Sequence, residues 1–430
     1  MEKRALLIAY HFPPLKVSSG LQRTLKFARY LGDYGWRPSV LSAHPRAFQA
    51  VSDEQLGEFP ADLDVYRAFA LDSRRHLSFR RRYSRLLAVP DRWSSWWFGG
   101  LITGLRIIRR LRPQVLWSTY PIATAHLIGL TLHRLTGLPW VADFRDPMTE
   151  DNYPPEPLQW QAHRWIERQS VRHCAAAVFT TPGSRAIYLD RYGGLSPERA
   201  VVIANGYDEE NFARAVAVSP PAGGTHPVTL LHSGVLYPQE RDPRPFFEAL
   251  AVLKQRGVIR AGELRVVLRA TGHDELHRRA IKGAGVADLI ELAPPIAYEP
   301  ALQEMLEAGA LLLFQAANCN QQIPAKLYEY FRAGRPIFAL TDAGGDTAAA
   351  LREAGIETIV PLDNAPAIAA GLARFLEQLA QGQALCADPS VAGRYSRHAL
   401  TGELATLLGA VVQTGGGARV VVAARGRRGL

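Results

Sequence analysis

Cysteine is scarce in this 430-residue chain: Cys174, Cys319 and Cys386 are the only three, and no C-x-x-C pair occurs. So sparse and odd a set excludes a disulfide framework and a structural zinc site, and it fits a reducing, cytoplasmic compartment. Lysine is nearly absent too, with six (positions 3, 16, 26, 254, 282 and 326) among 50 basic residues. Arginine is therefore the default cation, and a lysine inside a motif marks a place where a compact point charge is wanted. Long apolar runs are also missing. The best candidate, 122–132, contains His126 and is followed by His133 and Arg134, well short of the roughly 18 to 20 apolar residues of a membrane span. The first apolar run, 5–10, meets His11-Phe12-Pro13-Pro14 after six residues. That is too short for a secretory core and predicts a buried first strand.

What is present is a large apolar fraction, 47%, and a surplus of 50 basic over 40 acidic residues, giving a formal charge of +10. The length suits two or three domains, and the charge favours anionic partners: phosphate esters, lipid headgroups or nucleic acid. Short apolar runs alternate with amphipathic stretches at 5–9, 21–31, 38–41, 115–117, 123–135 and 140–142. This is the rhythm of βαβ units and a parallel sheet covered by helices. In the first helix Leu21, Leu25, Ala28 and Leu31 keep the helical period, which places Arg23 and Lys26 on the outside and makes Gly35 the stop. The rhythm restarts at 228–231 and continues through 245–255, 264–269, 310–314, 326–332 and 336–340. The expected fold is α/β, with two Rossmann-like, doubly wound domains facing a cleft: an N-terminal domain 1–212, a Pro/Gly/Ala linker 213–227, a C-terminal domain 228–394 and a disordered basic tail 413–430.

Three loops carry candidate chemistry. The turn 13–20 ends in Ser19-Gly20 and opens directly into a helix with Arg23 one turn in; free N–H groups there suit an anion. The turn is neither G-x-G-x-x-G nor G-K-[ST], which argues against a dinucleotide redox site and an ATPase phosphate loop. Asp143-Phe144-Arg145-Asp146-Pro147 ends a strand with two carboxylates and a guanidinium. Those carboxylates are placed for general-base work or hydroxyl binding, or else for an internal salt bridge to Arg145 that fixes the loop. Pro324-Ala325-Lys326-Leu327-Tyr328-Glu329 starts a helix closed by Gly334, with Lys326 and Glu329 three apart on one face, either as a site or as a surface pair.

Taken in order, His11-Phe-Pro-Pro14 with Ser19-Gly20, Pro139 to Pro147, Asn205-Gly-Tyr-Asp208, His232-Ser-Gly234, and Pro324 to Tyr330 with Gly334-Arg-Pro336 resemble the bacterial family 4 retaining glycosyltransferases of the GT-B fold over residues 1 to about 410. The resemblance implies a nucleotide-sugar in the cleft and a C-terminal helix, 395–410, crossing back to the first domain. It implies donor-binding roles for Ser19, Gly20, Arg23, Gly234, Lys326, Glu329 and either Arg241 or Arg244. Glu329 corresponds to the family's ribose-binding glutamate, and Gln321 stands where the first glutamate of that pair is usual. Asp143, with Asp146 behind it, stands for the histidine that polarises the acceptor hydroxyl; Asp143, Asp146, Lys326 and Glu329 are the catalytic candidates. The implied enzyme is a metal-independent hexosyltransferase without cofactor, using a UDP- or GDP-sugar donor. Its product would be polysaccharide or another cell-envelope glycan, made on a glycan or lipid-linked acceptor with retention.

The segment 74–112 interleaves eleven arginines with Phe79, Tyr83, Trp93, Trp96, Trp97 and Phe98. This composition fits peripheral docking on the anionic inner face of the plasma membrane, or else a packed domain with a solvated basic face. No nucleic-acid-binding module is visible. A GT-B sugar-nucleotide 2-epimerase would share the two domains, and a non-catalytic membrane- or nucleic-acid-binding protein would use the arginine segment alone.

Overall fold

The computed structural model describes residues 2–16, 19–53, 55–78, 84–216 and 227–415. It divides into two compact units, one formed by the chain up to Ala204 together with the segment from Arg397 onward, the other by Asn205–Ser396.

The first unit is built on seven strands: β1 (Lys3–Ile8), β2 (Trp36–Ala43), β3 (Asp64–Ala68), β4 (Val115–Thr119), β5 (Trp140–Arg145), β6 (Ala176–Phe179) and β7 (Ala200–Val202), in spatial order β3-β2-β1-β4-β5-β6-β7. All neighbours are parallel, with Ile8 opposite Leu41 on one side and Ser118 on the other. The central strands are buried along their length, and β4 and β5 open on apolar residues and carry Ser118, Thr119, Asp143 and Arg145 toward their carboxyl ends. Strand order reverses between β1 and β4, and a crevice at their carboxyl ends is where such sheets bind ligands.

The helix Ser19–Tyr30 buries Leu21, Leu25 and Ala28 as its period predicts, and Gly35 closes the following turn at φ 74°. Arg23 and Lys26 depart from expectation: both are buried. The C-terminal helix Arg397–Gln413 packs over this helix, and Asp143 and Glu58 supply the counter-charges. In the helix Trp96–Leu111, Gly99 permits close approach, since a Cβ there would meet the Phe69 carbonyl oxygen at 2.2 Å.

The second unit repeats the plan with six parallel strands: β8 (Val228–Ser233), β9 (Leu264–Arg269), β10 (Ile290–Ala293), β11 (Ala310–Phe314), β12 (Ile337–Leu340) and β13 (Ile359–Val360), ordered β10-β9-β8-β11-β12-β13. Its reversal lies between β8 and β11. The boundary falls after Ala204 rather than after 212, because the chain beyond it is tied into this unit. Tyr207 bridges Ser396, and the helix Glu209–Val216, whose last turn was expected to be linker, pairs through Glu209 with Arg332 and through Arg214 with Glu299. The remainder of the expected linker to 226 and the tail from 416 lie outside the described residues. The returning helix, expected over 395–410, runs Arg397–Gln413.

Candidate functional site

Each unit gathers charged groups at the carboxyl end of its sheet, next to the point where strand order reverses. In the first unit Asp143, near the end of β5, is fully buried, and its two oxygens accept from Arg23 Nε at 2.9 Å and Nη2 at 3.0 Å. The Thr119 hydroxyl adds a third bond at 2.9 Å, while the rest of the Arg23 guanidinium donates to the carbonyls of Ile203 and Ala204. This corrects two expectations. Asp143 is wholly buried with both oxygens engaged by Arg23 and Thr119, which removes it from an acceptor hydroxyl, and Arg23 joins the first helix to β5 and to the carbonyls just after β7 instead of meeting a donor. The salt bridge expected within the loop is made across 120 residues, and Arg145 has no part in it.

Arg145 itself is 7% exposed and holds φ at +63°, a left-handed conformation that costs an arginine about 1–3 kcal/mol. The β5–β6 register shifts between Asp143 and Arg145, and a shift of this kind re-aims a side chain. The Arg145 carbonyl is pinned by the Thr180 amide and hydroxyl, each at 3.0 Å. Its guanidinium turns toward Gly20, where a Cβ would lie 2.8 Å from Nη1 and 2.9 Å from Nδ1 of His11. Burial, followed by the Arg145 charge, pushes the His11 pKa down to about 4, so the ring is neutral at physiological pH. Asp146 is half-buried and accepts from the Thr180 hydroxyl at 3.3 Å, which leaves it the better placed of the two aspartates. Ser19 opens the first helix, and its side chain is outside the described set.

In the second unit His232 and Ser233 end β8, and Gly234 follows at φ 119°. The positive φ suits glycine, and the missing side chain makes room: a Cβ would sit 2.7 Å from the ammonium of Lys326. Lys326 begins the helix Lys326–Ala333, entered through Pro324 and closed by Gly334 at φ 63°, as its sequence predicts. Its ammonium lies 3.1 Å from Nε2 of His232, whose Nδ1 donates to the Leu312 carbonyl at 2.9 Å. Burial and then the Lys326 charge hold that imidazole well below its usual pKa, hence neutral. Burial, then Arg241, lowers Lys326 itself to about 7.

The structure separates the two arginine candidates. Arg241 stands beside Lys326, with Nη1 donating to the Val235 carbonyl at 3.1 Å and Nε buried without a partner. Arg244 is exposed and forks onto Asp242. Glu329 is half-buried and accepts from the Tyr298 hydroxyl at 2.7 Å. Gln321 is exposed at the tip of the loop preceding the helix. That loop is shaped by the buried Gln315 amide, which donates to the carbonyls of Cys319 and Gln322.

Sequence reasoning missed Arg145 and His11 as a pair, His232 as the partner of Lys326, and Tyr298 altogether. His11 and His232 stood in the quoted motifs, whereas nothing local marks Tyr298. No group of three metal-ligating side chains occurs among the described residues. The aspartate pair Asp62-Leu63-Asp64 enters the edge strand β3 at its amino end, away from the carboxyl edge.

Residues 20–206 match the family model of the Glycosyl transferase 4-like domain. No curated protein matches the chain in sequence. Among solved structures, sucrose-phosphate synthase from Thermosynechococcus elongatus is similar at a TM-score of 0.61 and 13% identity, over 94% of this chain and 98% of that one. HepE from Anabaena, in complex with UDP and glucose, is similar at 0.63 and 13%, over 95% and 100%. A putative UDP-N-acetylglucosamine 2-epimerase from Listeria monocytogenes is similar at 0.59 and 13%, over 96% and 97%. With the two parallel sheets, these similarities establish the fold as two-domain, Rossmann-like GT-B.

Proposed function

We propose that the protein is a glycosyltransferase that moves a hexose from a nucleoside diphosphate-sugar to an acceptor hydroxyl with retention of anomeric configuration. The observation that carries this reading is the pair Lys326 and Arg241 at the carboxyl end of β8. They are two adjacent cations, Lys326 lowered by burial and then by Arg241, and neither has a carboxylate within ion-pair distance among the described residues. Such a pair suits a diphosphate. Gly234 keeps the backbone bare beside it, and the amino end of the helix Lys326–Ala333 adds its partial positive charge. Glu329, on the same helix face, is the acceptor for ribose hydroxyls, and Gln321 hydrogen-bonds a sugar hydroxyl but cannot act as a base. The matched family model over the first unit and the UDP and glucose of the Anabaena neighbour support the same reading.

In such a transfer the departing phosphate assists deprotonation of the attacking hydroxyl, so the protein mainly neutralises the diphosphate and fixes geometry. The basic side chains do this without a metal ion. Asp146 takes over from Asp143 as the carboxylate on the acceptor side. The acceptor is a lipid-linked or polysaccharide glycan, reached by peripheral docking at the cytoplasmic membrane face. No helix among the described residues is long and apolar enough to cross a membrane, and the helix Trp96–Leu111 carries an exposed Phe98 and Ile102 beside its arginines.

A thermal-shift panel of UDP, GDP and their sugars tests the donor site, because a ligand bound only by the folded state raises Tm. Stabilisation by one nucleotide series, lost in Lys326→Ala, is the expected result; no response to any nucleotide overturns the reading. The epimerase-like neighbour favours a second reading of the same fold. Incubation with donor alone separates the two, since interconversion of C2 epimers would show the epimerase and their absence the transferase.

A further inference from the structure

Lys326 and Glu329 stand three apart on one helix, a spacing at which an ammonium and a carboxylate normally pair. The structure draws them apart. The ammonium turns inward to Nε2 of His232 at 3.1 Å, and the Glu329 carboxylate accepts from the Tyr298 hydroxyl at 2.7 Å. That carboxylate still acts on the lysine: after burial and Arg241 it is the third influence on the Lys326 pKa, and the only one of the three that raises it. A hydrogen bond from another element therefore bears on where this negative charge goes.

Tyr298 is anchored for that task. It opens the ten-residue helix Tyr298–Glu307, which packs against the helix Lys326–Ala333, and its entry is fixed from β9. The Arg269 guanidinium at the end of that strand donates to the Pro294 carbonyl at 2.8 Å and forks onto Glu304 of the same helix, while the Arg269 carbonyl accepts from the Gly234 amide at 2.8 Å. Arg214 pairs with Glu299, the residue after the tyrosine. The phenol thus reaches Glu329 from a backbone tied to the same strand as the glycine beside Lys326. A glutamate without such a partner spreads over its rotamers.

We infer that Tyr298 is a positioning residue of the proposed donor site: its hydroxyl keeps Glu329 off Lys326, so that the carboxylate is presented to the ribose hydroxyls while the ammonium stays available to the diphosphate. The inference rests on that reading of the site and adds a residue to it. Without the phenol, Glu329 turns along its helix toward Lys326. An internal carboxylate then competes with the diphosphate for the same ammonium, and the ribose loses its acceptor.

Calorimetric titration of the full chain with pyrophosphate, UDP and GDP tests this, because pyrophosphate reads the cations without a ribose. Tyr298→Phe keeps the ring and removes one oxygen from an exposed residue, so the fold should stand. Pyrophosphate should bind this variant at least threefold more weakly than wild type, and the loss should vanish when Glu329→Gln is added, since no carboxylate is then left to compete. The nucleotide should lose more than pyrophosphate does in Tyr298→Phe, and the second substitution should not restore it. A merely structural tyrosine would instead give a pyrophosphate loss that Glu329→Gln leaves unrepaired. Equal pyrophosphate affinity in wild type and Tyr298→Phe, or an equal loss in the single and double variants, overturns the inference and leaves the donor site standing. So does a wild type that binds nucleotide but no pyrophosphate, whereas a wild type that binds none of the three overturns the donor reading itself and the inference with it.

Discussion

The ammonium of Lys326 lies 3.1 Å from Nε2 of His232, a ring that spends its proton on the Leu312 carbonyl and so can only accept. A neutral histidine is thus the rest position of a lysine whose pKa is pushed down to about 7 by burial and by Arg241. A folded pKa below the unfolded one means that the unfolded chain binds more protons between about pH 7 and the ordinary lysine value of 10.5. Stability should therefore rise with pH across that window, relative to a variant without the group. Lys326→Met should be the more stable protein at pH 7 and lose its advantage toward pH 10, a trend that thermal melts in both proteins would read. A difference independent of pH would contradict it.

Donor affinity should show the opposite slope. A diphosphate selects the charged ammonium, so binding takes up a proton above about pH 7 and weakens as pH climbs. Titrating UDP against wild type and Lys326→Met at pH 6.5 and 8.5 checks this; the slope belongs to Lys326 only if the variant lacks it.

The two arginines should separate cleanly. Arg241→Ala removes a cation with a buried, unpartnered Nε beside Lys326, and donor affinity should fall by roughly 1.5–3 kcal/mol, the worth of a charged hydrogen bond. Glu329→Ala should cost a similar amount. Arg244→Ala should leave affinity unchanged, because that guanidinium is exposed and committed to Asp242. Equal losses from both arginine variants would refute the assignment.

Asp143→Asn should act on the fold. It leaves Arg23 buried with a weakened partner, and breaking a buried pair costs about 3–5 kcal/mol; Tm should fall sharply. Asp146→Asn should instead keep Tm and lower kcat with donor affinity intact. The reverse pattern would restore Asp143 as the acceptor-side group.

These outcomes bear on what the chain reveals by itself. Parallel strands buried on both faces are written as apolar runs, so Ala5 to Ile8 and Leu311 to Phe314 are legible, as is the helix opened by Pro324 and closed by Gly334. The edge strand β3 is only half-buried and carries Asp64 and Arg67, and β13 has two residues, so neither declares itself. Within the site, Lys326 and Glu329 are three apart on one helix and local spacing finds them. The partner of Asp143 lies 120 residues away. Amphipathic periodicity placed Arg23 outside because it cannot see the helix Arg397–Gln413 that covers it. Arg145 was visible as a charge, but its strained backbone is a property of the β5–β6 pairing.

Part of the arginine segment, 79–83, lies outside the described residues. Its tryptophans are mostly committed to packing. Trp96 is fully buried, Trp93 donates to the Ala47 carbonyl, and Trp97 donates to the Thr131 hydroxyl. One outward stripe runs along the helix Trp96–Leu111: Phe98, 63% exposed, Ile102, 54% exposed, and then Arg106, Arg109 and Arg110. An apolar pair followed by cations on a single face suits an anionic lipid surface, each arginine adding roughly 1 kcal/mol over a Debye length of about 8 Å. Co-sedimentation should therefore show binding to vesicles containing acidic lipid, weakening with salt, and none to neutral vesicles. Replacing Arg106, Arg109 and Arg110 by Gln should abolish binding, and Phe98→Ser with Ile102→Ser should weaken it at fixed charge. Emission from Trp97, whose ring lies 4.8 Å from Phe98, should shift to the blue on binding, while the buried Trp96 stays silent. Equal sedimentation of wild type and both variants would mean that this face is a solvated surface and that the protein reaches its acceptor without the membrane.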